Sequence, residues 1–171
     1  MSSPPNYMTP RGYECIRREL EWLEGEERPK IVKEVAYAAS LGDRSDNAEY
    51  RYGKKRLRQI DGRRGFLLKR LGKTQLVDPA TQTGPMVRFG ATVVLADEEG
   101  VEKTWRIYGE DEVDVDGGVI SWRSPIAQAI LGKEEGDEAR FHAPGGWREV
   151  EIIEVRYEPC APLPDDLAFS R

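Results

Sequence analysis

The sequence predicts an α+β protein: an N-terminal antiparallel α-helical coiled-coil hairpin followed by a small antiparallel-sheet domain with one short helix. Two long stretches repeat apolar residues at steps of three and four, the spacing of a coiled-coil seam. The short polar stretch between them predicts that the chain turns and comes back. Beyond residue 85 apolar and polar residues alternate, which is typical of strands.

The first helix is predicted to begin at Thr9 and Pro10, with threonine as the N-cap and proline at the first helical position. It ends at Gly42. Its seam consists of Tyr13, Ile16, Leu20, Leu23, Ile31, Val35 and Ala38. Glu27 interrupts this seam. Pro29 lies inside the helix and is expected to kink it or to free a carbonyl locally.

The second helix is predicted to begin between Ser45 and Asn47. Its seam consists of Tyr50, Leu57, Ile60, Arg64, Leu67 and Leu71. Arg64 is the polar exception, and its aliphatic stem can lie along the seam while its head stays in water. Three glycines weaken this helix by up to about 1 kcal/mol each, so we expect it to depend on packing against the first.

The stretch that joins the helices, residues 41–50, reads LGDRSDNAEY and is called the tip stretch below. Asp43, Asp46 and Glu49 follow one another at steps of three, which places side chains on one face of a helical backbone. One interpretation is that the hairpin delivers carboxylates to Mg²⁺, which accepts one or two of them together with waters or phosphate oxygens. The other is a helix cap at Asp46 with Glu49 three residues later. The two are compatible, because Asp43 lies outside the cap.

Charge is distributed unevenly along the chain, whose net charge is −5. Residues 51–73 contain ten basic residues and one acid, Asp61. This strip is either a solvated helix face or a contact for nucleic acid or an acidic protein surface. Only Tyr50, Tyr52 and Phe66 are interleaved with it, which argues against a platform for stacking single-stranded bases.

The second half is predicted to contain six strands and a short helix that begins at Ser124 and Pro125 and ends at Gly132. The predicted strands are residues 87–97, 101–108, 113–115, 119–122, 138–142 and 148–157. We expect four segments: a disordered N-terminus over residues 1–8, the hairpin over 9–78, the sheet domain over 79–158 and a disordered tail over 159–171.

Several classes of protein are disfavoured. Two distant cysteines, Cys15 and Cys160, suggest neither a disulfide framework nor a zinc site. No signal core or membrane-length apolar run is present, so we expect a cytoplasmic protein with no membrane partner. The single histidine, His142, falls in a strand pattern and is expected to be structural or superficial.

Several motifs agree, in order, with one known family. They are the tip stretch itself, EERP at 26–29, AAS at 38–40, KKRLR at 54–58, FGA at 89–91, GEDE at 109–112, SPIA at 124–127 and LGK at 131–133. Over residues 9–157 the chain resembles the Gre transcript cleavage factors, in particular their GreB branch. The resemblance implies that the second half is an FKBP-like domain and that the protein is a monomer.

The resemblance also implies a function. Factors of this family insert the coiled coil into the secondary channel of bacterial RNA polymerase and stimulate the polymerase to cleave its own backtracked RNA. They are accessory factors and not enzymes. The acidic pair corresponds to Asp43 and Asp46, which would bind Mg²⁺ jointly with the polymerase, and Ser45 is the neighbouring polar residue. The free protein is not expected to bind the ion stably.

Two further sets of residues follow from the resemblance. The basic patch that contacts the 3′ segment of the RNA corresponds to Lys54, Lys55, Arg56, Arg58 and Arg63. The contact with the rim of the channel corresponds to Ser124, Pro125 and Ile126.

Asp46 departs from the family pattern, which usually has glutamate there. Its side chain is one methylene shorter, and octahedral Mg²⁺ tolerates little misplacement of a ligand. A channel-binding inhibitor with weak cleavage activity is therefore an alternative. An FKBP-like isomerase or chaperone is another. A general nucleic-acid binder is a third, and it would bind free RNA with steep salt dependence.

Overall fold

The computed structural model describes residues 4–42 and 47–169, and the chain divides into two units. The hairpin unit contains Glu14–Lys73 and Leu163–Arg171, and the sheet unit contains Met1–Tyr13 and Thr74–Pro162. Among the described residues, no helix combines the length and the apolar character that crossing a membrane requires.

The first arm of the hairpin is α1 (Pro10–Trp22), a π-helical turn (Leu23–Glu27) and α2 (Arg28–Ser40). The second arm is α3 (Ala48–Gly72), 25 residues and therefore about 37 Å long. The expected disturbance near Pro29 is confirmed, because the Arg28 N–H bonds to the Leu23 carbonyl five residues earlier. Proline has no N–H for the regular bond, and the wider turn lies directly before it.

The predicted seam is buried at about half of its positions. Ile16, Leu20, Leu23, Ile31 and Ala38 are buried on the first arm, and Ile60 and Leu67 on α3. The remaining seam positions are half-buried, except Arg64, which is exposed. The prediction that Glu27 interrupts the seam is wrong. Its side chain is buried there, because the guanidinium of Arg56 faces it from α3 and compensates the charge.

Gly53 sets the distance between the arms near the tip stretch. It is buried, and a Cβ atom at this position would lie 2.5 Å from Cγ2 of Val35. Glycine therefore permits an approach of α2 and α3 that any larger residue would prevent.

The C-terminal tail was predicted to be disordered, but its described part contacts α1. Arg18 Nη1 donates to the carbonyl of Pro164 at 2.9 Å, and the rings of Trp22 and Phe169 lie 5.8 Å apart. Phe169 gives the tail an apolar anchor on the half-buried Trp22, which the Pro- and Asp-rich composition of the tail did not suggest.

The sheet unit contains a five-stranded sheet. Its strands are β3 (Thr92–Ala96), β4 (Glu102–Tyr108), β5 (Val119–Ser121), β6 (Glu138–Ala143) and β7 (Gly146–Arg156). They lie in the order β5-β4-β3-β7-β6. The expectation of a purely antiparallel sheet is wrong, because β5 pairs with β4 in parallel. The segment between them contains a 3₁₀ turn (Glu110–Glu112) and returns the chain to run in the same direction.

Two predicted strands differ from the observed ones. The strand expected from residue 87 begins only at Thr92, because Gly90 has φ +91° and interrupts extended backbone. Residues 113–115 form no strand, and only an isolated bridge joins Asp114 to Val119. The short helix α4 (Pro125–Ile130) packs Ala127 and Ile130 into the core beside Ile107 and Ile152.

The described part of the N-terminus, residues 4–8, forms defined structure, against the prediction of disorder. β1 (Asn6–Met8) pairs in parallel with β2 (Thr74–Leu76), which falls within the range predicted for the hairpin, and Met8 and Thr9 are fully buried. The Glu112 carboxylate accepts hydrogen bonds from the Thr9 and Gly109 N–H groups. Burial raises the pKa of Glu112, while these bonds act to lower it. The short polar segment is thus tied down by a half-buried carboxylate.

Candidate functional site

Asn47 joins the two arms where they meet the tip stretch. Its side-chain oxygen accepts from the Tyr50 N–H at 3.0 Å and caps α3, while its side-chain nitrogen donates to the Ala38 carbonyl at 2.6 Å. The expected cap at Asp46 is therefore wrong by one residue. Asparagine is preferred over aspartate here because only the amide can accept at α3 and donate to α2 at the same time.

Asp43, Ser45 and Asp46 lie outside the described residues, as does Arg44. The described chain stops at Gly42 and resumes at Asn47. The side chain of Asn47 bonds to the carbonyl of Ala38 in α2. The described residues contain no group of three or more acidic, histidine or cysteine side chains that could hold a metal ion.

The chemistry of the donor set fits Mg²⁺ only in part. Carboxylate oxygens are its preferred protein ligands, but two side chains leave most of an octahedral shell to other donors.

Four basic residues on the first half of α3 share one face of the helix, here called the outer basic face. Arg51, Lys54, Lys55 and Arg58 stand at spacings of three, four and seven residues, and all are exposed. None of them forms an ion pair with another residue of the described ranges. Their charges are therefore available to a partner.

Other members of the basic strip are paired with acids of the first arm. Arg56 faces the buried Glu27 at 3.4 Å, Arg63 contacts Glu19 at 2.9 Å, and Arg64 contacts Glu24. Of the five residues expected to contact RNA, the structure thus leaves Lys54, Lys55 and Arg58 without a described ion-pair partner. Arg56 and Arg63 instead contact acidic side chains of the first arm.

The residues expected to dock on the polymerase lie at the start of α4. The Ser124 hydroxyl accepts from the Ala127 N–H at 3.3 Å, and Pro125 is exposed at the first helical position. Ile126 contributes to an open groove of about 390 Å³ whose apolar lining includes Leu95, Trp105, Phe141 and Val150. Elsewhere in the sheet unit, His142 is exposed and meets the Trp147 ring edge-on at 5.4 Å.

A second groove near the tip stretch was not predicted. Tyr37 of α2 and Tyr52 of α3 line it together with Glu34 and Glu49, and it is called the tyrosine groove below. The sequence pattern of α3 alone does not reveal this groove, because two of its six described lining residues, Glu34 and Tyr37, lie on the other arm. A usable signal was present, since Glu-x-x-Tyr occurs at 34–37 and again at 49–52.

Comparisons with known proteins agree over both halves of the chain. Residues 6–76 match the family model "Transcription elongation factor, N-terminal", and residues 82–157 match "Transcription elongation factor, GreA/GreB, C-term". A solved structure of GreA factor homolog 1 from Thermus thermophilus is 24% identical and covers 90% of this chain and 99% of that one, with a TM-score of 0.41.

Curated relatives bear both family names. Transcription elongation factor GreB of Neisseria meningitidis serogroup B is 46% identical over 153 residues, covering 89% of this chain and 94% of the relative. GreA of Halorhodospira halophila is also 46% identical over 153 residues, covering 88% and 97%. GreB of Yersinia pestis is 45% identical over 154 residues, covering 90% of each. The chain belongs to the GreA/GreB family of transcription elongation factors.

Proposed function

We propose that this protein is a factor of the GreB branch that binds bacterial RNA polymerase in the cytoplasm and inserts its hairpin into the secondary channel. There it stimulates the polymerase to hydrolyse backtracked RNA and so rescues arrested complexes. The observation that carries the proposal is the construction of the hairpin end. A long two-helix rod holds an acid-bearing stretch at its end, and Asn47 ties both arms at the base of that stretch.

The role assigned to the tip stretch follows from its carboxylates. Asp43 and Asp46 supply oxygen ligands to Mg²⁺ that is shared with the polymerase, and Ser45 adds a polar group beside them. When bound, such an ion stabilises charge on the attacking and leaving oxygens of a phosphodiester. The chain itself presents the carboxylates, and the polymerase supplies the remaining ligands and the active centre.

The outer basic face is assigned to the 3′ segment of the RNA. Exposed cations along one helix neutralise phosphates and release counterions, and they need no base-specific contact. The face begins at Arg51, a few residues from the acidic pair in sequence, so both act on the same nucleic acid. The sheet unit is assigned to the rim of the channel through Ser124, Pro125 and Ile126, beside the apolar groove.

Cleavage in a backtracked polymerase complex with Mg²⁺ tests the acidic pair. Wild type is expected to accelerate release of a short 3′ fragment, whereas Asp43→Asn and Asp46→Asn bind the polymerase equally well but lose most of the acceleration. Asp46→Glu, which restores the usual family residue, is expected to cleave at least as fast as wild type. If wild type binds but does not accelerate cleavage, the protein is a channel-occupying inhibitor instead.

A second experiment tests the outer basic face. Replacing Lys54, Lys55 and Arg58 together by alanine is expected to weaken stimulation and to lower the slope of log affinity against log salt by about 2, at roughly 0.7 per phosphate contact on single strands. Arg64→Ala is the matched control, since Arg64 lies outside the five residues expected to contact RNA and Glu24 pairs with it. Equal loss in both variants would contradict the assignment of the face.

A further inference from the structure

The tyrosine groove is the least explained surface of the hairpin. It has a volume of about 400 Å³ and is lined from both arms by Glu34, Tyr37, Ala48, Glu49, Tyr52 and Gly53. Each arm contributes a glutamate and, three residues later, a tyrosine, so that the two side chains share one helix face. Ala48 and the buried Gly53, which have small side chains or none, complete the described lining.

The two tyrosines are strongly exposed. Tyr37 is 66% exposed and Tyr52 is 61% exposed, although aromatic rings of this size are usually mostly buried. Within the described residues neither ring packs against another aromatic ring. Their flat faces are therefore available at the surface, and they do not contribute to the core of the hairpin.

The charged side chains in the described lining of the groove are both acidic. Glu34 and Glu49 are both exposed, and neither forms an ion pair with another described residue. No basic side chain belongs to the described lining. Carboxylates beside aromatic faces attract a guanidinium or an ammonium group, through its charge and through the ring quadrupole.

We propose that the tyrosine groove binds arginine or lysine side chains of the protein partner of the hairpin. The inference rests on the proposed function, in which that partner is RNA polymerase. The hairpin then has two specialised sides. The outer basic face takes the RNA, and the tyrosine groove takes a cationic protein surface.

The alternative occupant, a nucleobase stacked on the tyrosines, fits the charges less well. A nucleotide brings a phosphate with each base, and two carboxylates repel it. Arg51 and Tyr52 are consecutive, so their side chains point about 100° apart around the helix axis, and of the basic face only Lys55, three residues after Tyr52, borders the groove side. RNA that follows the basic face therefore has no need to enter the groove.

The test measures affinity of the full chain for core RNA polymerase, without nucleic acid, across a range of salt concentrations. Tyr37→Ala with Tyr52→Ala is expected to weaken binding about tenfold, whereas Tyr37→Phe with Tyr52→Phe stays within about twofold because the ring faces remain. Glu34→Gln with Glu49→Gln is expected to weaken binding and to reduce its salt dependence. Phe66→Ala, which removes an exposed ring of α3 outside the groove, is the matched control and should leave affinity unchanged.

Three outcomes overturn the inference. Alanine variants that bind core polymerase as wild type does exclude the groove as a contact. Phenylalanine variants as weak as the alanine ones assign the effect to the hydroxyl groups and not to cation recognition. A loss that appears only when backtracked RNA is present, with no effect of the glutamine variants, assigns the groove to a nucleobase.

Failure of the inference can be told from failure of the proposed function. If wild type itself neither binds the polymerase nor stimulates cleavage, the proposed function is wrong before any variant is compared. If wild type does both and the groove variants match it, only the inference is wrong. Thermal unfolding of each variant shows that the hairpin is intact, which we expect because the replaced side chains are exposed.

Discussion

The inner and outer faces of α3 use the same residue types for opposite purposes. On the inner face Gly53 touches Val35 and Arg56 faces the buried Glu27. On the outer face a Cβ atom added to Gly62 would meet no neighbouring atom within 4 Å, and Arg58 forms no described ion pair. The role of a glycine or an arginine in this helix therefore depends on its position. Those that face the first arm contribute to packing, and those that face away from it do not.

The basic strip as a whole divides in the same way, into residues that pair with the first arm in the described ranges and residues that do not. Nine basic residues on the 25 positions of α3 resemble one continuous nucleic-acid surface in the sequence. Three of them are matched by acids of the first arm, and the exposed remainder near the tip stretch is what a polyanion can reach. Three sets of substitutions test how far this difference between the faces extends.

The largest effect is expected from the two arginines. Arg56→Ala removes a guanidinium that faces a carboxylate only 4% exposed, and we expect it to lower the free energy of unfolding by about 3 kcal/mol. Arg58→Ala removes an exposed side chain and should change it by less than about 0.5 kcal/mol. Urea denaturation followed by circular dichroism measures both. Equal effects of the two substitutions would contradict the distinction between the faces.

The glycines should give effects of opposite sign. Gly53→Ala places a methyl group against Cγ2 of Val35, whose branched side chain has one preferred rotamer in a helix, so we expect a loss of about 1–3 kcal/mol. Gly62→Ala meets no neighbouring atom and should gain up to about 1 kcal/mol through helix propensity.

The same denaturation measurement separates packing from propensity. Adding Val35→Ala to Gly53→Ala removes the obstructing methyl groups and should restore part of the loss. If Gly53→Ala stabilises the protein as Gly62→Ala does, the close approach of the arms is not a constraint on the fold.

The sequence alone predicts what depends on spacing along one helix or one strand. The seam from Ile16 to Ala38, the disturbance at Pro29 and the start of α4 at Ser124 belong to this class. They are local, since a 3.6-residue period, a missing N–H and a capping hydroxyl act within a few residues.

Features that depend on a distant partner were missed. Glu27 was expected to interrupt the seam because Arg56, 29 residues later, could not be recognised as its partner. The cap was placed at Asp46 because the second bond of Asn47, to Ala38, joins two arms. The N-terminal segment was expected to be disordered because its strand partner and the carboxylate of Glu112 lie about 70 and 100 residues away. The tyrosine groove belongs to the same class.

The smallest effect is expected from the exposed pairs that bind the basic strip at the far end of α3. Glu19→Gln with Glu24→Gln removes the acids that face Arg63 and Arg64, whose side chains are 50% and 47% exposed. Exposed ion pairs contribute about 0–1 kcal/mol each, because water already solvates both charges and ordering the side chains costs entropy. We expect denaturation to show less than about 1 kcal/mol per pair, well below the effect of Arg56→Ala. The two freed guanidiniums should also steepen the salt dependence of cleavage stimulation, by at most about 1.4 in slope at roughly 0.7 per phosphate contact. A loss of stability as large as that from Arg56→Ala would show that these pairs hold the arms together, and the division of α3 into a structural inner face and an available outer face would then fail at this end of the helix.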